Sequence, residues 1–377
     1  MRFGTKLIHN GNIDKYTGAL SVPIYQASTF QQEDIDNPPQ YEYGRSGNPT
    51  REALEETIAL LEGGDKAFAF ASGMAAVSGA LLIFSKGDHV IFCRDIYGGT
   101  HRIASKHFTQ FGIEVTFVDA TDLEEIKKSI RPNTKGLYLE TPSNPLLRVT
   151  DLKGAAKIAK ENGIITIIDN TFMSPYLQRP IEHGIDIIVH SATKFIGGHS
   201  DVVAGLIVTA TKELSSKIKA IQNNFGAVLG PFDSWLLLRG LKTLKIRMDY
   251  HQKNAQKLAE WLQKHDYIAN VNYPGLEGHI GREIHFSQAD GAGAVLSFET
   301  KDEETAVKFL KNVKAGVVAV SLGGVETIVS YPVKMSHAAI PEKERLELGI
   351  NPKIIRVSVG LEDIEDLIED FDRALNL

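Results

Sequence analysis

Lys194 stands at a point in the sequence where a lysine is unexpected. It follows the apolar run "IDIIV" and precedes the glycine-rich "FIGGHS", so it comes where a buried strand should end. A lysine amine in a pocket of low dielectric constant has a lowered pKa and can act as a nucleophile. The ordinary alternative is a surface lysine whose stem lies along the protein. Ser191 and Thr193, beside Lys194, add two hydroxyl groups.

Four other apolar strands predicted from the sequence are also followed by groups that could bind a ligand. Gly73 and Met74 begin a helix after "AFAFAS", and the N-terminus of a helix attracts anions. Tyr97 follows "HVIFCRD", Asn144 lies between two prolines after "GLYLE", and Asp169 ends "GIITII". Taken singly, a packed ring, an ordinary turn or a helix cap would explain each of these residues. Because ligands bind at the carboxyl ends of parallel strands, we expect them to converge.

Pyridoxal phosphate is a cofactor that needs this combination of groups. Its aldehyde forms a Schiff base with a lysine, and its pyridine nitrogen stays protonated opposite a carboxylate. Its ring stacks on an aromatic side chain, and its phosphate is bound by helix N–H groups and hydroxyls. The sequence lacks the GxGxxG and GxxxxGK[ST] patterns of dinucleotide and nucleotide sites. The residues together therefore predict a pyridoxal phosphate site.

Two other kinds of site would use some of the same residues. Ser191 and Lys194 form an S-x-x-K pattern, but acyl-transferases of that class also need SDN and KTG elements, which the sequence lacks. His190, His199 and Asp201 could offer metal ligands, but their spacing matches no recognised metal motif. We therefore expect no metal.

The bulk composition excludes several classes of protein. The chain has 377 residues, of which 43% are hydrophobic and 23% charged, as is usual for a globular enzyme. A net charge of −6 without a basic stripe predicts no nucleic-acid partner. No apolar run reaches the roughly 18 residues of a membrane span, and the N-terminus has no apolar leader. The single cysteine, Cys93, fits a reducing compartment, so we expect a cytoplasmic enzyme without membrane contact.

The elements that must position these residues follow an alternating pattern. "GNPTREALEETIALLEGG" predicts a helix with Asn48 as its cap, Pro49 in its first turn and glycine at its end. Short apolar strands then alternate with amphipathic segments, which predicts an α/β fold with a mostly parallel sheet covered by helices. The predicted strands are "AFAFAS", "HVIFC", "EVTFVD", "GLYLET", "GIITIIDN", "IDIIVHS" and "AGLIVTA".

Three regions are predicted along the chain. Residues 1–48 lack periodic apolar positions and contain "NPPQ", so we expect an irregular arm. Residues 49–238 form the large α/β domain that holds the site. Residues 239–377 start with one long helical stretch, "LKTLKIRMDYHQKNAQKLAEWLQKH", and continue as a smaller α+β domain with the strands "AVLSFET" and "IIRVSVG".

Motifs over almost the whole chain resemble those of the pyridoxal-phosphate enzymes of cysteine and methionine metabolism, the group of cystathionine γ-lyases, γ-synthases and β-lyases. Around Lys194 the motif reads "SATKFIGGHSDVVAG". The others are "YEYGRSGNPTR", "FASGMAA", "YGGT", "ETPSNP", "DNTFMSPY", "RGLKTL", "AVSLGGVET", "MSHAAIP" and "RVSVGLED". The resemblance implies the fold-type I architecture of aspartate aminotransferase, an amino-acid substrate and a homotetramer built from two dimers.

The resemblance also implies roles for single residues around the cofactor. Lys194 resembles the Schiff-base lysine that later moves protons, Asp169 the carboxylate on the pyridine nitrogen, and Tyr97 the stacking tyrosine. The residues that match the phosphate-binding positions are Gly73, Met74, Ser191 and Thr193. Tyr43 and Arg45 match a pair that reaches the phosphate of the neighbouring subunit, which would make the active sites shared.

On the substrate side, Arg356 resembles the arginine that binds the α-carboxylate, a bidentate task that lysine performs poorly. Asn144 and Ser321 match positions that line the cofactor and substrate. Glu42, Arg102 and Glu326 match charged positions that face the distal end of the substrate in cystathionine γ-lyases. The ordinary alternative for each is a solvated surface charge.

These distal charges favour one reaction over the others. Cystathionine is zwitterionic at its distal end, so charges of both signs are suited to it, and we expect a γ-lyase that forms cysteine, 2-oxobutanoate and ammonia. A β-lyase or dual lyase acting also on homocysteine or cysteine is the first alternative, followed by a γ-synthase or O-acylhomoserine sulfhydrylase. Methionine γ-lyases carry a cysteine where this chain has Gly99, which disfavours that activity.

Overall fold

The larger of two β-sheets has seven strands. A computed structural model of the chain describes residues 1–9, 14, 16–338 and 340–377, so residues 10–13 and 15 of the predicted arm and residue 339 of "MSHAAIP" lie outside the description. The strands of the larger sheet are β1 (Lys66–Phe70), β2 (His89–Cys93), β3 (Glu114–Val118), β4 (Thr134–Glu140), β5 (Ile165–Asp169), β6 (Ile187–Ser191) and β7 (Gly205–Thr209). Each of the seven strands that the alternation predicted is present, and its ends lie within two residues of the predicted ones.

The larger sheet is buried, and helices accompany it along the chain. Every residue of β2 and β7 is buried, which requires cover on both faces of the sheet. The helices that precede, connect or follow its strands are α1 (Phe3–Ile8), α2 (Pro49–Glu62), α3 (Gly73–Leu81), α4 (Gly98–Arg102), α5 (Leu123–Lys128), α6 (Leu152–Glu161), α7 (Ser174–Leu177), α8 (Lys212–Phe225) and α9 (Pro231–Leu241). A π-helical turn (Ile103–Phe108) continues α4, and a 3₁₀ turn (Pro180–His183) follows α7.

The smaller sheet has five strands, all from the C-terminal part of the chain. Its elements in chain order are α10 (Leu244–Leu262), β8 (Ile268–Asn272), α11 (Arg282–Gln288), β9 (Val295–Thr300), α12 (Glu303–Asn312), β10 (Val317–Val318), β11 (Ile328–Ser330), a 3₁₀ turn (Pro332–Lys334), α13 (Glu342–Glu347), β12 (Ile354–Ser358) and α14 (Ile364–Asn376). The strand order is β10-β11-β12-β9-β8, and only the β10–β11 pair is parallel. None of the helices in the described ranges is long and apolar enough to cross a membrane.

The strand order of the larger sheet brings the predicted site residues to one edge. The order is β1-β7-β6-β5-β4-β2-β3, and only β7 runs against its neighbours. The carboxyl ends of the six parallel strands therefore share one edge. Strand β7 starts at that edge, where Gly205 is paired with both Phe70 and Ser191. Side chains that follow β1, β2, β4, β5 and β6 are thus gathered on one side of the sheet.

The residues at the two ends of α2 begin and end the helix as the sequence predicted. The side chain of Asn48 accepts hydrogen bonds from the backbone N–H groups of Thr50 (3.0 Å) and Arg51 (3.3 Å). Pro49 occupies the first turn, where its missing N–H group is not needed. Gly63 ends the helix with φ +73°, a conformation that glycine adopts at no steric cost.

Two predictions about regular structure were wrong in part. The arm was expected to be irregular throughout, but α1 forms because Phe3 and Leu7 lie one turn apart and find apolar partners. The Phe3 ring lies 5.5 Å from that of Tyr176, and Leu7 is only 1% exposed. The stretch expected to form one helix from residue 241 is broken, since α9 ends at Leu241 and α10 begins at Leu244.

Helix α10 belongs to both hydrophobic cores. Leu244 and Met248, near its start, are buried in the core of the larger sheet. Leu258 and Leu262, near its end, are buried in the core of the smaller sheet. The domain boundary at residues 238 and 239 stays a prediction, and those residues lie inside α9, which is separated from α10 by only two residues.

The tight start of β7 generates a prediction about stability. A Cβ atom on Gly205 would lie 2.1 Å from the carbonyl oxygen of Ser72, a backbone atom that cannot move aside cheaply. We expect Gly205→Ala to lower the free energy of unfolding by about 3 kcal/mol, at the upper end of overpacking effects. Gly230→Ala is the matched control, because a Cβ there has no atom within 4 Å. Urea unfolding measures both, and equal stability of the two variants would contradict the prediction.

Candidate active site

A cavity of about 580 Å³ opens at the edge where the parallel strands end. Its walls come from both parts of the chain, because loops that follow the larger sheet meet segments of the smaller sheet there. The predicted residues that line it are Gly73, Met74, Tyr97, Arg102, Asn144, Asp169, Ser191, Thr193, Lys194, Ser321 and Arg356. Eleven of the fifteen residues singled out from the sequence are therefore brought to one cavity.

Lys194 lies inside this cavity, in the turn that follows β6. Its Nζ atom donates a hydrogen bond to Oγ of Ser321 at 2.6 Å. Burial, together with the nearby positive charge of Arg356, lowers the pKa of the amine to about 8, although the carboxylate of Asp169 acts in the opposite direction. Near neutral pH an appreciable fraction of the amine is therefore unprotonated, as a nucleophile or general base requires.

Asp169 ends β5 and points its carboxylate into the same cavity. Oδ1 accepts a hydrogen bond from the backbone N–H of Thr171 at 3.0 Å. Burial raises the pKa of the carboxyl, whereas the hydrogen bonds from Thr171 and the charges of His190 and Lys194 lower it. A carboxylate in such a place is stable when a cationic group of a ligand faces it.

An anion-binding cradle is formed by the start of α3 and the turn after β6. The first intrahelical bond of α3 runs from Ala76 N to Ser72 O (3.1 Å), so the N–H groups of Gly73 and Met74 come before it. A Cβ atom on Gly73 would lie 2.9 Å from both Cβ and Oγ of Ser191, so only glycine permits this close approach. The two N–H groups and the Ser191 hydroxyl are thus held side by side.

Tyr97 is joined to a buried carboxylate that the sequence analysis did not single out. Its backbone N–H donates to Oε2 of Glu140 at 2.8 Å. Glu140 is the last residue of β4, lines the cavity, and lies beside Asp169 in the strand register. The signal was present in the sequence, since Glu140 ends the apolar run "GLYLE" in the same way that Asp169 ends "GIITII".

Arg356, in the middle of β12, has its guanidinium at the opposite wall. It donates to Asn144 Oδ1 (3.2 Å), to the Ser321 carbonyl (2.6 Å) and to Ser330 Oγ (3.0 Å). Its Nε atom is buried without a hydrogen-bond partner, and none of the residues that the structure describes offers Arg356 a carboxylate within ion-pair distance. Burial lowers the pKa of Arg356 to about 10, while Tyr97 and Glu140 oppose the shift. A buried arginine of this kind is suited to a carboxylate ligand.

Ser321 joins the lysine to the arginine. Its hydroxyl accepts from Lys194, and its carbonyl accepts from Arg356. The backbone of Ser321 has φ +85°, which is uncommon and strained for a residue other than glycine. This conformation turns the hydroxyl and the carbonyl towards two different partners in one cavity.

The remaining predicted residues do not line the cavity of the same chain. Arg45 donates to the carbonyl of Asn223 at 2.6 Å, and its guanidinium lies 5.5 Å from the centre of the exposed Tyr43 ring. Glu42 is exposed on the arm. Glu326 is exposed and accepts a hydrogen bond of 3.4 Å from Ser200. Their predicted roles, which involve a neighbouring subunit or the distal end of the substrate, stay predictions.

Four further polar residues that line the cavity were not predicted from the sequence, and two of them lie beside motifs that were. Ser72 caps α3 by accepting from Ala75 N at 3.1 Å, and Thr171 follows Asp169 by two residues, so both were close to motifs already noted. Ser330 and Ser336 reach the cavity from the smaller sheet and from the loop that follows it. Nothing in the local sequence places these last two serines there, because the packing of one sheet against the other decides it.

The two alternative chemistries find no support in the geometry. Lys194 Nζ is bonded to Ser321 and not to Ser191, the nucleophile of an S-x-x-K site. His190 lies 2.6 Å from Glu62 Oε1 in the core, and His199 bonds the carbonyl of Gly197. Within the described part of the chain, no group of three or more histidine, cysteine or acidic residues is arranged to hold a metal ion.

Comparison with known families identifies the chain. A family model described as "Cys/Met metabolism PLP-dependent enzyme" matches residues 4–376. The chain belongs to this family. Its fold is accordingly that of the fold-type I pyridoxal-phosphate enzymes, and its cofactor is pyridoxal phosphate, as the sequence predicted.

Named relatives of this Cys/Met metabolism enzyme are similar over their full length. A cystathionine beta-lyase of Bacillus subtilis is 55% identical over 98% of this chain and 95% of its own. A cystathionine gamma-lyase of the same organism is 50% identical over 100% of this chain and 99% of its own. A crystal structure of cystathionine gamma-lyase from Lactobacillus plantarum complexed with L-serine superimposes with a TM-score of 0.97 at 46% identity, covering 100% of this chain and 99% of that one.

The side chains in the cavity of this Cys/Met metabolism enzyme are of the kinds that pyridoxal phosphate requires. The cavity has an amine of lowered pKa, a strand-end carboxylate and a cradle at Gly73 that any Cβ would fill. In addition, the buried Nε of Arg356 lacks a partner, as expected of a group that awaits a ligand carboxylate.

The lowered pKa of Lys194 predicts how the cofactor-free protein responds to pH. Below about pH 8 the folded protein holds a buried ammonium that the unfolded chain keeps in water, so the charge destabilises the fold. We expect Lys194→Met to raise the free energy of unfolding of the cofactor-free protein at pH 7 by about 1–3 kcal/mol, after allowing for the lost bond to Ser321.

The gain should shrink between about pH 8 and pH 10.5, because over that range folded wild type releases the proton that the unfolded chain still holds. Urea unfolding at several pH values measures the effect. Lys242→Met, at an exposed position, is the control and should leave stability nearly unchanged. A Lys194→Met variant less stable than wild type at pH 7 would contradict the prediction.

Proposed function

We propose that this enzyme is a cystathionine γ-lyase, which converts L-cystathionine and water to L-cysteine, 2-oxobutanoate and ammonia. The observation that carries the proposal is the connection of Lys194 and Arg356 through Ser321. An arginine that binds the α-carboxylate of an amino acid is thereby held at a fixed distance from an amine that can remove the proton on the neighbouring Cα atom. That pairing suits an amino-acid lyase.

The cofactor would be held by residues from five strand ends. Lys194 would bind it covalently, Asp169 would face its pyridine nitrogen, Tyr97 would lie against its ring, and Gly73 and Ser191 would hold its phosphate, together with Met74 and Thr193. Asn144, which follows β4, would contribute as well. When bound, pyridoxal phosphate supplies an electron sink that makes protons next to the substrate nitrogen acidic.

The protein's own groups then carry the proton transfers. Arg356 binds the α-carboxylate and sets the orientation of Cα. Lys194 is the base for the Cα proton and, for γ-elimination, for the Cβ proton as well. The same amine can return a proton, so that sulfur leaves Cγ as the thiol of cysteine. Asn144 and Ser321 hold the arginine and the lysine in place.

The distal end of cystathionine requires charges beyond the cofactor. Arg102 lines the cavity and is suited to the distal carboxylate. We propose that Glu42 and Glu326 serve the distal amine. We also propose a homotetramer of two dimers in which Tyr43 and Arg45 act in a neighbour's site, since neither residue lines the cavity of its own chain. The buried free thiol of Cys93 supports a reducing, cytoplasmic location.

A β-lyase is the second candidate, because relatives of comparable similarity carry both names. Cystathionine has an amino-acid group at each end, and either end can be bound by Arg356. The total length between the two carboxylates is the same in both orientations, and only the position of the sulfur shifts by one carbon. A single cavity with charges at both ends therefore accepts either orientation, which makes dual activity chemically reasonable.

The released keto acid distinguishes the two reactions. We expect the purified enzyme with its cofactor to form 2-oxobutanoate and cysteine from L-cystathionine in equal amounts, measured by chromatography. Pyruvate and homocysteine in addition would indicate a dual lyase. Pyruvate alone would contradict γ-elimination, and turnover only with an acylated homoserine plus a thiol would point to a synthase. Lys194→Ala is the control, which should bind no cofactor covalently and form no keto acid.

The role assigned to Arg356 predicts a defect in substrate binding. Arg356→Lys keeps the positive charge but loses the planar pair of donors, so we expect kcat/KM for cystathionine to fall roughly 10- to 100-fold, mainly through KM. Arg131→Lys, in an exposed ion pair with Glu114, is the matched control and should leave both constants unchanged. Steady-state kinetics measure the effect, and an unaltered KM in the Arg356→Lys enzyme would rule out this role.

A further inference from the structure

Glu140 is a buried titratable residue at the site, and the proposed mechanism does not use it. Only 7% of its surface is exposed, and it is the register partner of Asp169 on the neighbouring strand. Strands that pair in a sheet lie about 4.8 Å apart, so two carboxyl groups end adjacent strands at the cavity. Only Asp169 is assigned to the cofactor nitrogen, so the carboxyl of Glu140 must have a different role.

The contacts of Glu140 lead to the backbone of two active-site residues. Oε2 accepts the N–H of Tyr97 at 2.8 Å, and the N–H of Asn144 also donates to the carboxyl. Tyr97 is the residue from which α4 begins, and α4 ends at Arg102, which lines the cavity. The carboxyl of Glu140 therefore fixes the backbone from which the Tyr97 ring projects and the start of the short helix that carries Arg102.

The charges around Glu140 indicate in which protonation state it accepts these backbone N–H groups. Two adjacent buried carboxylates cannot both be ionised without a large penalty. Burial and the neighbouring Asp169 raise the pKa of Glu140 well above its usual range, although the N–H groups of Tyr97 and Asn144 act in the opposite direction. Hydrogen bonds from Thr171 and the charges of His190 and Lys194 favour the ionised form of Asp169. The titratable groups that face Glu140 from the elements around it are Cys93, Asp95, Tyr138, Asp169 and Arg356. Only Arg356 among them is cationic, and this balance favours the neutral form of Glu140 over the neutral form of Asp169.

We propose that Glu140 is a positioning residue that, in its protonated form, holds the Tyr97 backbone and thereby sets the Tyr97 ring against the cofactor. It acts through Tyr97 and does not touch the substrate. The inference rests on the proposed cofactor site and adds to it a residue whose hydrogen-bond acceptor, and not its charge, is required.

The test compares a neutral isostere with a truncation in the enzyme loaded with pyridoxal phosphate. Glu140→Gln keeps a carbonyl oxygen for the Tyr97 N–H and mimics the protonated acid, whereas Glu140→Ala removes the acceptor. Asp370→Asn is the matched control, because Asp370 is a buried carboxylate (8% exposed) that also accepts backbone N–H groups, those of Lys314 and Ala315, but lies outside the cavity. The readouts are the dissociation constant of pyridoxal phosphate, the visible circular dichroism of the bound cofactor and Tm.

We expect Glu140→Ala to weaken cofactor binding roughly tenfold and to reduce the visible dichroism, because the Tyr97 ring loses its fixed position. Glu140→Gln should stay within twofold of wild type in both, and Asp370→Asn should lower Tm while leaving the cofactor signals unchanged. Wild-type cofactor signals in the Ala variant would overturn the proposal. A Gln variant with altered cofactor binding or dichroism would also overturn the proposal. If the Ala variant does not fold, the result for the Gln variant is the test. If the enzyme released a keto acid other than 2-oxobutanoate, the γ-lyase proposal would fail, but the expected cofactor signals of the Glu140 variants would not change. The two failures are therefore distinguishable.

Discussion

The active site depends on keeping one lysine amine out of water without neutralising it by an ion pair. Lys194 is buried beyond a strand end and lies near the guanidinium of Arg356, so its ammonium form is disfavoured, and its Nζ atom donates to the Ser321 hydroxyl. A direct salt bridge to Asp169 would have kept the amine charged and inert. Asp169 instead accepts a hydrogen bond from the N–H of Thr171, and within the described part of the chain no salt bridge joins it to Lys194. The destabilisation of one charge is accepted in the fold because it creates a reactive group.

Support for this arrangement comes from backbone contacts behind the cavity. Arg247, on α10, is buried and donates to the carbonyls of Phe195 (2.7 Å) and Gly240 (2.8 Å), so it secures the turn that carries Lys194. Glu140 performs a comparable task for Tyr97 on the other side. In both cases a buried polar side chain binds main chain, which restricts the position of the reactive side chain without competing for the ligand.

The larger sheet and most of the cavity were predictable because their signals are local. Each buried strand is a short apolar run, and each important residue follows such a run directly, as Lys194 and Asp169 do. The connection of Lys194 to Arg356 was not predictable from pattern alone, since it depends on the left-handed backbone of Ser321 and on the packing of two sheets. Helix α1 was missed because two apolar residues, Phe3 and Leu7, are too few to reveal a period. Glu140 was overlooked although the rule that selected Asp169 also selects it.

Helix α10 has a consequence for how ligands reach the site. It has 19 residues and is therefore about 28 Å long, and it is packed into both cores without a break. A continuous helix anchored at both ends opposes hinge bending between the two sheets, so we expect the walls of the cavity to keep their spacing in the absence of ligand. The preformed cavity would then distinguish between amino acids by its shape and charge as they enter. Little binding energy would be needed to close it.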